Sequence, residues 1–409
     1  MNRKLLSLLN GVAVVRYFYP AEVQKQAVFG IRRFRQQRTH NDPPTTIHDP
    51  SPKDGVLFWV KAVTFAIITL IFTAGPTAAQ IGGLNTYEFL NLSPSARVSA
   101  LGGNLITVRD DDANLALANP SLLNESMHQQ LAFSHSFHVA GISHGYASYA
   151  HHFSKPGLTG HAGVQYVNYG SFDQTDELGQ KLGTFKAAEY AINFGASKQV
   201  YDRLALGANL KAITSQLEGY SSFGLAADLA GVYFDTSSNF TATVVFRNIG
   251  TQLAAYQDGN PEPLPFEIQL GVSKRLRYLP FRFSIVYRHF NRWNILYDDP
   301  NAEPSTLFFG EVNTERSKSS IWFDNFFRHF VFNGEFLFGK KDNFRLRFGY
   351  NHFMRKELSV DNFGSLAGFS FGAGIKVNRF RIDYGYSAFH LGGGLNHFGV
   401  STNLQEFKR

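Results

Sequence analysis

The feature that most constrains this chain is a pattern that starts at Gln129 and recurs almost to the C-terminal residue. Runs of about ten residues alternate apolar with polar or small side chains, and turn residues close each run. A period of two sends successive side chains to opposite faces of a strand. Phe281, Phe283, Ile285 and Tyr287 thus share one face, with Arg282, Ser284 and Arg288 on the other. Phe344, Leu346, Phe348 and Tyr350 likewise oppose Arg345, Arg347 and Asn351. The pattern predicts strands near 131–139, 143–153, 158–169, 188–200, 203–214, 223–233, 240–250, 266–276, 281–290, 329–340, 344–353, 368–377, 379–389 and 396–404.

About fourteen strands is an even number, as a closed antiparallel outer-membrane barrel requires. Every second connection is short, whereas 170–187, 251–265, 291–328 and 354–367 are long, the asymmetry between periplasmic turns and extracellular loops. Strands of a soluble sandwich commonly run ~5–6 residues, whereas a tilted membrane strand needs ~9–11. Composition agrees: 15% of residues are aromatic and only 17% charged, against roughly a quarter charged in soluble domains. The expected fold is therefore all-β: a transmembrane antiparallel outer-membrane β-barrel of about 14 strands over 129–409. Lys211, Asp228, Arg247, Glu335, Lys376, Arg381 and Asp383 are expected to face its lumen. A chain without cysteine has no disulfide framework, thiolate metal site or cysteine nucleophile.

The net charge of +7 invites a nucleic-acid reading, but residues 1–55 hold nine basic and four acidic side chains and residues 80–409 carry only +1. No nucleic-acid partner is expected. Lys61, the apolar run Ala62–Ala74, Gly75-Pro76 and the small residues Thr77, Ala78 and Ala79 have the layout of a secretory signal. The run is too short for a span of ~20 residues. Residues 56–79 are read as a signal peptide cleaved between Ala79 and Gln80. Residues 1–55 are then either a basic leader or a stretch upstream of the true start.

Residues 80–128 lack alternation and are rich in Asn, Ser, Leu, Ala and Asp. A helical turn is expected from Ser93-Pro94-Ser95-Ala96-Arg97, a break at Gly102-Gly103, and a second turn in Ala113–Leu123 before Pro120. A compact segment of this kind ahead of a barrel is expected to be a plug, or hatch, folded into the lumen.

Three stretches carry a resemblance. They are Ala96-Arg97-Val98-Ser99-Ala100-Leu101-Gly102-Gly103, then Asp110-Asp111-Asp112-Ala113-Asn114, then Asn119-Pro120-Ser121-Leu122-Leu123. Together they resemble the N-terminal hatch of the long-chain fatty-acid transporter superfamily, so Gly102, Gly103, Asp112, Asn119 and Pro120 are the expected plug motif. The opening QIGGLNTYEFLNLSPSARVSALGG resembles the mature N-terminus of the PorQ family, within that superfamily, from the type IX secretion system of the Bacteroidota. That resemblance implies a non-enzymatic outer-membrane role. The barrel would anchor a PorZ-like surface protein beside PorU- and PorV-like partners, in a complex that processes cargo and joins it to lipopolysaccharide. A transporter of hydrophobic molecules is the alternative. The chain departs from the transporters at Ser121, where they usually have Ala.

Catalytic signatures are missing: there is no G-x-S-x-G elbow and no H-E-x-x-H, so no enzyme activity, cofactor or metal is expected. His151 and His152 are neighbours that a strand sends to opposite faces. Asp110-Asp111-Asp112 is read as a solvated or turn-capping run, because three adjacent carboxylates do not converge on one ion. In 291–328, Trp293, Tyr297, Phe308, Phe309, Arg316 and Lys318 combine aromatic and basic side chains, the composition of a protein-docking loop. Phe326 and Phe327 are assigned instead to the aromatic girdle.

Overall fold

The computed structural model describes residues 85–138, 141–257, 259–296, 318–339, 341–358, 365–390 and 393–408. The leader, the signal segment, the cleavage site Ala79/Gln80 and the loop residues Tyr297, Phe308, Phe309 and Arg316 lie outside the described residues.

Fourteen strands form one closed antiparallel barrel in which each pairs with its sequence neighbours and β1 closes on β14. They are β1 (Gln130–Phe137), β2 (Ser143–Phe153), β3 (Leu158–Thr175), β4 (Lys181–Tyr201), β5 (Leu204–Leu217), β6 (Tyr220–Asp235) and β7 (Phe240–Ala254). They continue with β8 (Glu267–Arg275), β9 (Phe281–Tyr287), β10 (Phe330–Phe338), β11 (Phe344–Asn351), β12 (Phe369–Val377), β13 (Phe380–His390) and β14 (Gly393–Asn403). Closure leaves no unpaired sheet edge, which is what a strand-built structure needs in lipid.

Alternation sets the two faces. On β10, Val331, Asn333, Glu335 and Leu337 point inward and are buried, while Phe336 and Phe338 stay exposed outside. The register places Phe336 opposite Leu346 on β11 and Phe281 on β9, so apolar side chains gather into a continuous outer belt. Lys211, Asp228, Arg247, Glu335 and Arg381 are buried inside, as the pattern predicts.

The stretch 170–187 differs from expectation: most of it is strand, because β3 and β4 extend to 175 and back from 181. Beyond the apolar belt neither face needs to keep the alternation, so Asp173, Gln174 and Lys186 interrupt it without ending the pairing. The loop 288–329 holds a helix that the sequence reading left out.

Inside the barrel lies the plug. It contains α1 (Ala96–Ala100), capped by the Ser95 side chain, and α2 (Leu115–Ala118), with single 3-10 turns around them. Two further helices, α3 (Lys318–Arg328) and α4 (His352–Glu357), belong to long connections of the barrel.

Candidate functional site

The plug threads the lumen from one end to the other. At the end with the long connections, the Thr86 amide donates to the Pro263 carbonyl at 2.9 Å. At the short-turn end, Asn403 Nδ2 donates to the His128 carbonyl at 3.0 Å. Two wall glycines allow this closeness: a Cβ on Gly349 would stand 2.1 Å from the Gly102 nitrogen, and one on Gly207 would stand 2.5 Å from the Pro120 carbonyl carbon. Glycine inside a strand marks such an approach, a signal the sequence carries at both positions.

The motif Asn119-Pro120-Ser121 is fully buried. Asn119 Nδ2 donates to the Ile106 carbonyl at 2.7 Å, and its Oδ1 accepts from the Ser121 amide at 2.9 Å and the Ser121 hydroxyl at 2.6 Å. Ser121 therefore adds a bond that Ala could not make. Asn124 repeats the arrangement with Ser126 and donates to the Asp110 carbonyl at 2.9 Å. Gly102 and Gly103 both hold positive φ, at 74° and 82°, and turn the chain after α1 as expected.

Asp110 and Asp112 are not solvated, which corrects the sequence reading for them, whereas Asp111 keeps a partly exposed side chain. Arg97 of α1, buried within the lumen, forks onto Asp110 at 2.7 and 3.1 Å and reaches Asp112 at 3.2 Å and Glu335 of β10 at 3.1 Å. Arg282 of β9 also pairs with Glu335 and lies 3.5 Å from Asp110. On β11, Arg347 reaches Glu335 at 2.9 Å and Asp383 at 2.5 Å, while Arg345 lies 3.7 Å from Asp110. Arg381 of β13 pairs with Asp111 at 2.9 Å. Five guanidinium groups thus interleave with five carboxylates between plug and wall. The turn-capping part of the reading holds, since Asp112 Oδ1 accepts from the Asn114 amide at 3.1 Å.

Electrostatics within the run is uneven. Burial drives the Asp110 carboxyl upward, but Arg97, Arg282 and Arg345 outweigh it and hold Asp110 well below the ordinary carboxylate range. Burial raises Asp112, with Arg97 opposing and the Asp110 and Asp383 charges adding to the rise. The seam reaches solvent at the short-turn end, where Asp111, Arg381, Lys376 and Glu406 line a small cleft.

Across the lumen, the wall grips the plug through its carbonyl oxygens. Gln165 of β3 donates to Phe89, Asn209 of β5 to Ala116, Arg247 of β7 to Leu90 and Ser273 of β8 to Thr107, at 2.9 to 3.1 Å. Tyr87, Phe89 and Leu90 pack with Val167, Ile213 and Leu264 in an apolar cluster toward the long-connection end.

Of the expected docking residues, Trp293 is half exposed and packs beside Trp322 and Phe326, and Lys318 opens α3. The rings of Phe326 and Phe327 both pack, tilted, against Phe330 on the outer wall. Among the described residues no His, Asp or Glu group is arranged to hold a metal ion.

No family model and no curated protein matches the chain. Among solved structures it is similar to the Pseudomonas putida toluene transporter TodX, at 13% identity over 76% of this chain and 96% of that one, with a TM-score of 0.44. It is also similar to a Pseudomonas aeruginosa FadL homologue, at 8% identity over 76% and 98%, with a TM-score of 0.41. The KdgM porin aligns at 4% identity over 67% and 98%, with a TM-score of 0.29.

Proposed function

We propose that this chain is an outer-membrane barrel kept shut by its own plug, and that it works as an anchor for surface proteins. The carrying observation is the plug itself, bonded to strands on both sides of the lumen and locked by the arginine and carboxylate seam. A wall so occupied is better suited to holding than to conducting. The apolar outer belt supports residence in lipid, and the short turns then face the periplasm.

The finer reading rests on the opening sequence: a member of the type IX attachment complex that holds a PorZ-like protein beside PorU- and PorV-like partners. Affinity purification of the tagged barrel from outer membranes tests it. A surface protein should co-purify and should be lost when residues 298–319 are deleted, while the barrel keeps its heat-modifiable mobility on gels. A barrel recovered without any surface partner would overturn the anchoring role.

One observation favours a second reading, in which the plug is a hatch for hydrophobic molecules. The Tyr87–Leu90 segment places an apolar cluster, with Tyr256 packed against it, just below the long-connection end of the lumen. Under this reading, proteoliposomes holding the barrel take up a long-chain fatty acid and empty liposomes do not. An equal rate in both would remove transport.

A further inference from the structure

Helix α3 is built the wrong way round for water. The polar residues of its last turns face the protein: Asn325 is only 4% exposed and Arg328 8%. Asn325 Nδ2 donates to the Trp293 carbonyl at 2.7 Å, and its Oδ1 accepts from the Ile295 amide at 3.0 Å. Arg328 pairs with Asp324 at 3.3 Å and with Glu357 of α4. On the opposite side Trp322, Phe323 and Phe327 are 48%, 56% and 43% exposed. A helix packed on a water-soluble surface buries its apolar stripe and shows its polar one; α3 does the reverse.

The apolar side is continuous with the outer wall of the barrel. Trp322 stacks on Phe326 at 5.4 Å, Phe326 meets Phe330 at 5.0 Å, and Phe330 follows Phe332 along β10 at 5.9 Å. Phe330 also meets the outward Tyr287 of β9 edge-on at 5.1 Å. An unbroken row of rings therefore climbs from the lipid-facing strands onto the helix.

From these two facts we infer that α3 is an interfacial anchor. It lies at the rim of the barrel with its aromatic face in the outer leaflet, where lipid is its partner, and its polar face fastens the long connection to the barrel. Aromatic rings prefer this headgroup level, and an amphipathic helix sinks ~5–10 Å into the boundary. The inference rests on the membrane placement of the barrel, and its test separates the two.

The full chain is reconstituted into phosphatidylcholine bilayers with Trp322 as its only tryptophan. A companion protein carries Phe398→Trp on the mid-wall of β14 as its only tryptophan. Lipids brominated near the headgroup should quench Trp322 roughly two-fold or more, and lipids brominated deep in the chains should quench it less, as a shallow helix requires. The companion should be quenched by the deep bromines. If the companion is quenched and Trp322 is not, the anchor is refuted while the barrel remains in lipid. Free access of aqueous acrylamide would then mean a water-facing helix, and protection from both quenchers a face covered by protein. If neither protein is quenched by brominated lipid, the membrane reading itself falls. The triple substitution Trp322→Ser, Phe323→Ser, Phe327→Ser, in a barrel that still shows heat-modifiable mobility, should also reduce the quenching of Trp293 by lipids brominated near the headgroup. Unchanged quenching of Trp293 in that variant would count against the anchor.

Discussion

The plug is held against two unlike walls. Toward β2–β8 its carbonyl oxygens accept hydrogen bonds from Gln165, Asn209, Arg247 and Ser273. A buried ion pair on that side, Lys211 with Asp228 at 2.8 Å, joins two wall strands and leaves the plug out. Toward β9–β13 the plug supplies charges of its own, and the plug-to-wall ion pairs found among the described residues all run there. A main-chain carbonyl offers the same acceptor whatever the residue, so one wall grips the shape of the plug. The other also donates to plug carbonyls, from Asn333, Asn351 and Ser387, but adds ion pairs that depend on particular side chains. Disturbing a charge on the two sides should therefore have different readouts: release of the plug on one, weakening of the barrel on the other.

The largest effect is expected at Arg97. Replacing it with Met leaves Asp110, Asp112 and Glu335 short of their shared partner in a buried place, a loss of ~3–5 kcal/mol for broken buried pairs. Limited proteolysis should cut within residues 85–128 while the barrel keeps its heat-modifiable mobility. A protected plug, or a barrel that unfolds with it, would break the comparison. A smaller effect is expected at Lys211→Met. Asp228 keeps the Asn248 amide at 2.8 Å and Asn209 Nδ2 at 3.2 Å, so the cost is that of a partly satisfied group, ~1–3 kcal/mol. It should appear as a lower barrel melting temperature with the plug still protected, and a protease-sensitive plug would contradict it.

The two walls were also unequally legible in the sequence. Alternation carried the strands, because each strand must choose a face locally, and it placed Lys211 and Glu335 inside. It could not say that Glu335 would meet Arg97, since that contact joins residues 238 apart and is set by barrel closure. The run Asp110–Asp112 therefore read as solvated, although in the fold two of its members lie against Arg97. Helix α3 was hidden for another reason. Its aromatics face outward and its polar residues inward, so the usual rule for telling a buried side from an exposed one gives the wrong sign. The plug motif was legible through the resemblance; the bond from Asn119 to the Ile106 carbonyl, thirteen residues back, is one that only the fold displays.

The finest distinction lies within the acidic run, between neighbours that titrate in opposite directions. Asp110 is held below its ordinary value of ~3.9, so its contribution to stability is complete above that pH and is lost only as pH falls through the depressed folded value. Asp112 is raised, so the sign reverses: its contribution is greatest below the ordinary value and declines as pH rises toward the folded one. Asp112→Asn keeps an oxygen to cap the Asn114 amide and removes a carboxylate that burial disfavours. Its expected cost at neutral pH is under ~1 kcal/mol, the scale of a single hydrogen bond. Asp110→Asn instead strips the forked partner from Arg97 and should free the plug at neutral pH. Plug proteolysis followed from pH 8 down to pH 3 checks both. The native seam and the Asp112→Asn variant should stay protected through the ordinary carboxylate range, and Asp110→Asn should be cut throughout. If Asp112→Asn loosens the plug as much as Asp110→Asn does, the two carboxylates share one role and the asymmetry inside the seam is wrong.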